Sequence, residues 1–315
     1  MIKPDSIKKV TVICTAFNHE AFIEEALDSV KDQQYSALEL FIIDNGSTDL
    51  SKQKIKEWVE QNPQLSAKLI FRDRTINYCA SFNEALFQSS GEYIIDLAGD
   101  DVLLPEHIEA SLLILDKYGE AVASFSDAEL IEKGEVTRFY EKNKIAPPTL
   151  SVGDIYRKVI SQYCISTVTL VFRAAQLKAI GGYDQDLAYE DFDVLCRLAR
   201  RYPFCYSPHV GVRKRILPSS FSATQYATRK SVMLESTLKV CRKIYEMNRA
   251  EEENTALFKR VMYEAFHALG SANFEVAKGF LDLASDIFPQ SLKLYAFRLW
   301  QKSALDISAV YKIMR

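Results

Sequence analysis

The sequence predicts an α/β fold: a mainly parallel central sheet flanked by helices, with a C-terminal all-helical appendage. Two observations carry that reading. Apolar, β-branched runs at residues 10–17, 38–43 and 92–97 alternate with amphipathic segments of the length that a crossover between parallel strands requires. From about Ala223 onward the strand signals stop, and only helical periodicity remains. The expected domains are therefore residues 1–222 and residues 223–315.

In chain order, the first unit is a strand at 10–17, a loop, and a helix at 21–31 with apolar residues at Phe22, Ile23, Ala26, Leu27 and Val30. The apolar start of the chain breaks at Asn18-His19-Glu20, too early for a signal peptide, so it reads as that first strand. A second strand at 38–43 runs into Asp44-Asn45-Gly46-Ser47-Thr48-Asp49, followed by a polar helix whose apolar stripe is Ile55, Trp58 and Val59. A short strand at 68–71, a helix at 81–88 and a strand at 92–97 come next. After Pro105 the pattern predicts a helix to Tyr118, a strand at 121–126 and a hairpin turn at Lys133-Gly134-Glu135. Residues 163–172 read as a strand, 174–180 as a helix closed by Gly181-Gly182, and 189–201 as a helix that opens on Glu190-Asp191. Arg213-Lys214-Arg215 reads as a solvated basic face or, with the serines and proline after it, as a mobile loop facing phosphate. The tail is a run of amphipathic helices, of which residues 273–289 resemble half of a helical-hairpin repeat.

Composition excludes several classes. A net charge of -3 leaves no basic footprint for nucleic acid. The six cysteines form no Cys-x-x-Cys pair and the four histidines no His-Glu-x-x-His spacing, so a zinc site is not expected. The cysteines read instead as small buried thiols in a reducing compartment. No segment has the length of a membrane span. No Gly-x-Gly-x-x-Gly follows the first strand, which argues against a dinucleotide-dependent dehydrogenase.

Candidate chemistry sits where strands end. Asp100-Asp101 closes the third long apolar run, and two adjacent carboxylates repel one another unless a cation or a donor network neutralises them. They read as a metal or phosphate site, with a solvated turn or a helix cap as the plainer alternative. Parallel sheets bind ligands beyond the carboxyl ends of their strands, so the loops 15–20, 44–49 and 100–101 should line one crevice. The 45–49 stretch is equally a turn and helix cap, and Glu190-Asp191 is equally a favourable acid pair at a helix N-terminus.

With these residues in place, residues 1–222 resemble the family 2 glycosyltransferases, whose nucleotide-sugar-binding domain has the GT-A fold. Five ordered motifs carry the resemblance: Val12-Ile13-Cys14-Thr15-Ala16-Phe17-Asn18, Ile43-Asp44-Asn45-Gly46-Ser47-Thr48-Asp49, residues 91–105, Gly181-Gly182-Tyr183-Asp184, and Glu190-Asp191. The resemblance implies an inverting transferase that uses a nucleotide-diphospho-sugar, foremost a UDP-sugar, with Mg²⁺ or Mn²⁺ at Asp101 and Asp100. It places Thr15, Ala16, Phe17, Asn18, Glu20, Asp44, Asn45, Ser47, Arg72, Asn77, Ser81, Asn83, Gly99, Asp100, Arg215 and Ser220 on the donor side. Gly182, Tyr183 and Asp184 fall on the acceptor side, Asp191 is the base, and Glu190 stands beside it. The implied setting is bacterial surface-polysaccharide or glycan assembly in the cytoplasm, with a glycan or lipid-linked acceptor. Peripheral membrane contact through the cationic C-terminal helices goes with that setting.

The chain departs from the family pattern at three places. Ala98 stands where an aspartate is frequent, and Leu217 where a histidine is frequent. Asn77 replaces a glycine, which suggests a left-handed backbone there. The first two losses motivate an alternative, a catalytically degenerate member that binds nucleotide or glycan.

Overall fold

The computed structural model describes residues 7–148, 152–218 and 220–314. The strands are β1 (Val10–Ala16), β2 (Leu38–Asp44), β3 (Lys68–Phe71), β4 (Tyr93–Ala98), β5 (Val102–Leu103), β6 (Ala123–Glu132), β7 (Glu135–Arg138), β8 (Val152–Gly153), β9 (Val171–Arg173) and β10 (Phe204–Arg215). The helices are α1 (Ile23–Lys31), α2 (Ser51–Gln61), α3 (Tyr78–Gln88), α4 (His107–Lys117), α5 (Phe139–Lys142), α6 (Tyr156–Ser161), α7 (Ala174–Ala179), α8 (Asp191–Ala199), α9 (Val232–Met247), α10 (Glu251–Gly270), α11 (Phe274–Ile287), α12 (Leu292–Ser303) and α13 (Ser308–Met314).

Contacts divide the chain into two compact units, one of Met1–Ile155, Cys164–Gln185 and Arg197–Ile216, the other of Tyr156–Tyr163, Asp186–Cys196 and Leu217–Arg315. The first unit is built on one sheet in the order β3-β2-β1-β4-β9-β6-β10-β5, with β7 added to β6 and β8 to β10. β3, β2, β1 and β4 are mutually parallel, β6 and β10 are parallel, and β9 lies antiparallel between β4 and β6. Every residue of β1 is buried, as a strand packed on both faces must be. The chain leaves β1 toward β2 and β3, then returns to place β4 on the other side of β1. That reversal opens a crevice beyond the carboxyl ends of β1 and β4.

Core packing follows the sequence pattern. Ile23, Ala26, Leu27 and Val30 of α1 are fully buried, and Ile23, Leu27 and Val30 join β-strand residues such as Val12, Ile42 and Ile95 in one cluster. The hairpin between β6 and β7 turns on Lys133 and Gly134, both at positive φ. All six cysteines are buried.

The second unit is helical. It comprises α6, the start of α8 and α9 to α13, with α10 packed on α6, α9 and α11. Ser231 caps α9 by accepting the N–H of Leu234 at 3.1 Å.

Three expectations change. Residues 163–172 are not one strand: a 3-10 turn at Thr167–Thr169 precedes the short β9. Arg213, Lys214 and Arg215 lie within β10 rather than in a loop, paired with Glu129, Leu130 and Ile131. Asn77 is not left-handed. At φ -53 and ψ 132 it is the N-cap of α3, its side chain accepting the N–H of Ala80 at 3.1 Å, so its polar group does the work ascribed to its tolerance of positive φ.

Candidate active site

Register brings the expected strand-end residues of the first unit level with one another. Ala16 pairs with Asp44 across β1 and β2, and Thr15 pairs with Ala98 across β1 and β4. The Gly99 N–H donates to the Thr15 carbonyl at 2.8 Å, which ties the acidic turn to β1. The loops after β1 and β2 are laced together. The Asn18 N–H donates to Ser47 Oγ (3.0 Å), Thr48 N–H to Asn18 Oδ1 (2.8 Å), Glu20 N–H to Asp49 Oδ2 (3.0 Å) and Leu50 N–H to Glu20 Oε2 (2.8 Å). Asn18, held at φ 57, Glu20 and Ser47 thus build the loop walls. Phe17, between them, leaves 43% of its surface exposed.

Asp44 is fully buried at the end of β2. Its Oδ1 accepts the Ser47 N–H at 3.1 Å, while Oδ2 finds no hydrogen-bond donor among the described residues. Asn45 turns the other way and fastens the 75–76 loop, donating to the Ile76 carbonyl at 2.9 Å and accepting its N–H at 3.3 Å. Gly46 makes that approach feasible: at φ +82, a Cβ there would stand 2.4 Å from the backbone of Arg74 and Thr75. Arg72 donates its N–H to the Asp44 carbonyl, and its guanidinium holds Ser81 Oγ at 3.3 Å and pairs with Glu84.

Asp101 is 3% exposed, and its Oδ1 accepts the N–H of Arg215 at 2.9 Å. Burial pushes its carboxyl up, the neighbouring Asp100 adds to the rise, and Lys214 and Arg215 pull the other way. The Arg215 guanidinium donates to the Asp100 carbonyl at 2.6 Å, lies 5.0 Å over the Phe22 ring and pairs with Glu25. His19, which the sequence reading passed over, puts Nε2 3.9 Å from Asp100 Oδ1. No cluster of three or more His, Cys, Asp or Glu is grouped to hold a metal among the described residues. Two adjacent carboxylates still fit a cation shared with a diphosphate, since Mg²⁺ takes one or two protein carboxylates and completes its shell with phosphate oxygens and water.

The sequence reading also missed Asp96. It sits two residues before Ala98 in β4, where Oδ1 accepts Tyr78 O–H at 2.6 Å and Oδ2 accepts Tyr183 O–H at 2.9 Å. Burial pushes its carboxyl up to about 6 against those two hydrogen bonds. Mid-strand, an acid reads as the polar half of an alternating pattern, so no local signal marked it. Tyr183 stacks on Phe82 at 4.2 Å, and Asn83, 2% exposed, clamps the Tyr183 backbone, donating to its carbonyl at 2.7 Å and accepting its N–H at 2.9 Å. Gly182 at φ +70 admits that clamp, because a Cβ would meet Asn83 Oδ1 at 2.3 Å. Ser81 is fully buried and Asp184 half-buried.

Glu190 and Asp191 belong to the second unit. Both are half-buried at the start of α8, where Asp191 Oδ1 accepts the Phe192 N–H at 2.7 Å and the Glu190 carbonyl accepts the Val194 N–H. Ser220 is in the same unit, its Oγ accepting the N–H of Leu217 at 3.1 Å.

Comparison with known proteins gives the family. The sequence profile described as Glycosyl transferase family 2 matches residues 11–176. An uncharacterized glycosyltransferase of Haemophilus influenzae is 26% identical over 310 residues, 90% of this chain and 94% of that protein. Putative glycosyltransferase EpsE of Bacillus subtilis is 31% identical over 110 residues, 35% of this chain and 39% of its own. Among solved structures, S. aureus TarS 1-349 in complex with UDP-GlcNAc superposes with a TM-score of 0.75 at 15% identity, over 98% of this chain and 92% of that one. Mannosyltransferase PcManGT from Pyrobaculum calidifontis, in complex with GDP-Man and Mn²⁺, gives 0.60 at 18% identity, over 98% and 88%. These likenesses show the fold. The profile runs through Asp44, Asp100 and Asp101 and ends before Asp191 and Arg215. Matched over more than half its length and built on a sheet of this topology, the chain belongs to glycosyl transferase family 2 and is a glycosyltransferase of the GT-A fold.

Proposed function

We propose that this chain moves a hexosyl or N-acetylhexosaminyl group from a nucleotide-diphospho-sugar, foremost a UDP-sugar, onto an acceptor hydroxyl with inversion. The observation that carries the donor reading is Asp44: a buried strand-end carboxylate with one oxygen lacking a donor among the described residues, which a pyrimidine N–H satisfies. Phe17, which follows Ala16, the register partner of Asp44, is exposed and offers a ring face for the base. The UDP-GlcNAc bound by TarS is consistent with this donor class. Differential scanning fluorimetry with UDP-GlcNAc, UDP-glucose, GDP-mannose and NADH, each with and without Mn²⁺, tests it. Stabilisation by the UDP-sugars is expected, and a response to NADH alone would refute it.

In this reading Asp191 accepts the acceptor's proton as the hydroxyl oxygen bonds to the anomeric carbon and the bond to the diphosphate breaks. The leaving electron pair goes to the diphosphate oxygen. Asp101 and Asp100 would hold a divalent cation, Mg²⁺ or Mn²⁺, which would supply positive charge to the leaving diphosphate when bound. Thr15, Ala16, Phe17, Asn18, Glu20, Asp44, Asn45, Ser47, Arg72, Asn77, Ser81, Asn83, Gly99, Arg215 and Ser220 bind or shape the donor side, and Gly182 to Asp184 the acceptor side. The proposed catalytic and helical domains are residues 1–222 and 223–315, with residues 156–163 and 186–196 grouped by their contacts with the helical unit.

A glycan or lipid-linked acceptor in bacterial surface-polysaccharide assembly, met at the inner face of the cytoplasmic membrane, completes the proposal. No described helix is long and apolar enough to cross a membrane. On α12, Leu292, Tyr295 and Leu299 are 88%, 66% and 53% exposed at helical spacing, with Lys293 and Lys302 on the same helix. Co-sedimentation with anionic vesicles, lost on Leu292→Glu/Leu299→Glu, checks that contact. A second reading, a nucleotide-binding member without chemistry, draws on Ala98 in place of an acid and on the Arg215 guanidinium bonded to the Asp100 carbonyl. Metal-dependent release of UDP from a UDP-sugar would exclude it.

A further inference from the structure

The segment bearing Glu190-Asp191 is held by helices that lie far downstream in the sequence. The Ala188 N–H donates to Ser236 Oγ at 2.9 Å, and the Tyr189 and Thr237 hydroxyls, both buried, are 2.6 Å apart. Asp193, 1% exposed, pairs with Lys243 Nζ at 2.8 Å, and Lys239 Nζ donates to the Asp186 carbonyl at 3.1 Å. These partners are all on α9. From α10, the Arg260 guanidinium lies 4.4 Å over the Phe192 ring. Its Nε is 2.9 Å from Oε1 of the fully buried Glu264, whose Oε2 accepts the Tyr226 O–H at 3.2 Å.

A buried ion pair is an inefficient way to gain stability, because desolvation of both charges offsets their attraction and apolar side chains of similar volume serve as well. Glu264 holds the guanidinium by charge, at ion-pair distance and without hydrogen-bond geometry between Nε and Oε1, and the guanidinium packs on the face of the Phe192 ring. Phe192 is the residue after Asp191, and Tyr189 is two before it.

We propose that Arg260, held by Glu264 and assisted by the Thr237 hydroxyl, is a positioning residue for the Glu190-Asp191 motif, so that α9 and α10 are part of the transfer machinery. This rests on Asp191 acting as the base. A displacement of about 1 Å at a catalytic group is enough for a 100-fold loss of rate.

The test compares wild type, Arg260→Met/Glu264→Met, Thr237→Val and Asp191→Asn, using whichever of UDP-GlcNAc, UDP-glucose and UDP-galactose the wild type turns over. The double substitution removes both charges together, so no lone buried charge remains to unfold the helices, and Thr237→Val deletes only one hydroxyl. The expected result is a cooperative melt, a donor KM within about 2-fold of wild type, and kcat lower by about 10- to 100-fold in the double variant and less in Thr237→Val. A scaffold with only a structural role would move the melting temperature and leave kcat intact. Wild-type kcat in a folded double variant overturns the proposal, as does wild-type kcat in Thr237→Val should the double variant not fold. Full turnover by Asp191→Asn would instead overturn the base assignment, so the two failures are separate.

Discussion

The strand-end region of the first unit and the Glu190-Asp191 segment of the second are built in opposite ways. Asp44 and Asp101 are fixed by strand register and by backbone N–H donors a few residues away or on an adjoining strand. Glu190-Asp191 is flanked by side chains anchored to two helices some 40 to 75 residues further on. A site fixed by register and turns tolerates change in its neighbours, because the backbone holds it. A site fixed by buried side chains is sensitive to substitutions that never touch substrate. The difference teaches where to look for remote effects on rate: in α9 and α10, not in α1 and α2.

Four substitutions or conditions sharpen that contrast. The largest effect is expected for Asp191→Asn, which keeps shape and removes the proposed base: a loss of about 10²- to 10⁴-fold in turnover with donor affinity retained. Steady-state kinetics beside a UDP titration separates the two. Asp101→Asn should lower turnover on the order of 100-fold and abolish the response to Mn²⁺. An unchanged metal titration would show that the cation, if used, is held elsewhere. Asn83→Leu leaves the Tyr183 N–H and C=O without their clamp, at a cost of about 1–3 kcal/mol in stability. Chemical denaturation reads it, and a donor affinity close to wild type would place Asn83 in the frame and not in the ligand shell.

A fourth effect is one of pH. His107 is fully buried, with Nδ1 3.3 Å from His209 Nε2, and His209 Nδ1 is 2.8 Å from Ser207 Oγ. Ser207 Oγ donates to the Ala110 carbonyl, so each histidine is held neutral in one tautomer. Burial, with the other histidine's charge adding to it, lowers His107 to about 3, and burial lowers His209 to about 4. Below the usual 6.5 the unfolded chain therefore binds more protons than the folded one. Stability falls as the pH drops from about 6.5 toward 4, and His107→Gln should flatten that slope.

Much of the first unit was legible. β1, β2 and β4 are β-branched runs bounded by acid or turn residues, and local pattern suffices for such strands. β10 was not, because His209, Gly211, Arg213, Lys214 and Arg215 interrupt its apolar alternation, and its pairing with β6 comes from the far side of the sheet. Asn77 misled because its helix-capping capacity and its tolerance of positive φ give the same residue preference. Arg260 and Glu264 have the i, i+4 spacing of a surface salt bridge, and only the packing of α10 reveals that Glu264 is fully buried. Asp44, Asp101 and Asp191 were visible because acids at strand or helix ends stand out locally. What orients them was not, since it is tertiary.

The measurement that bears most directly on the account is calorimetric titration of UDP and GDP, with Mn²⁺, into wild type and Asp44→Ala. The buried Oδ2 of Asp44 is assigned to a base N–H, a charge-assisted hydrogen bond worth about 1.5–3 kcal/mol. The account predicts tighter binding of UDP than GDP by the wild type and a UDP Kd about 10- to 100-fold weaker in the variant. Equal UDP affinity in the two proteins would contradict it.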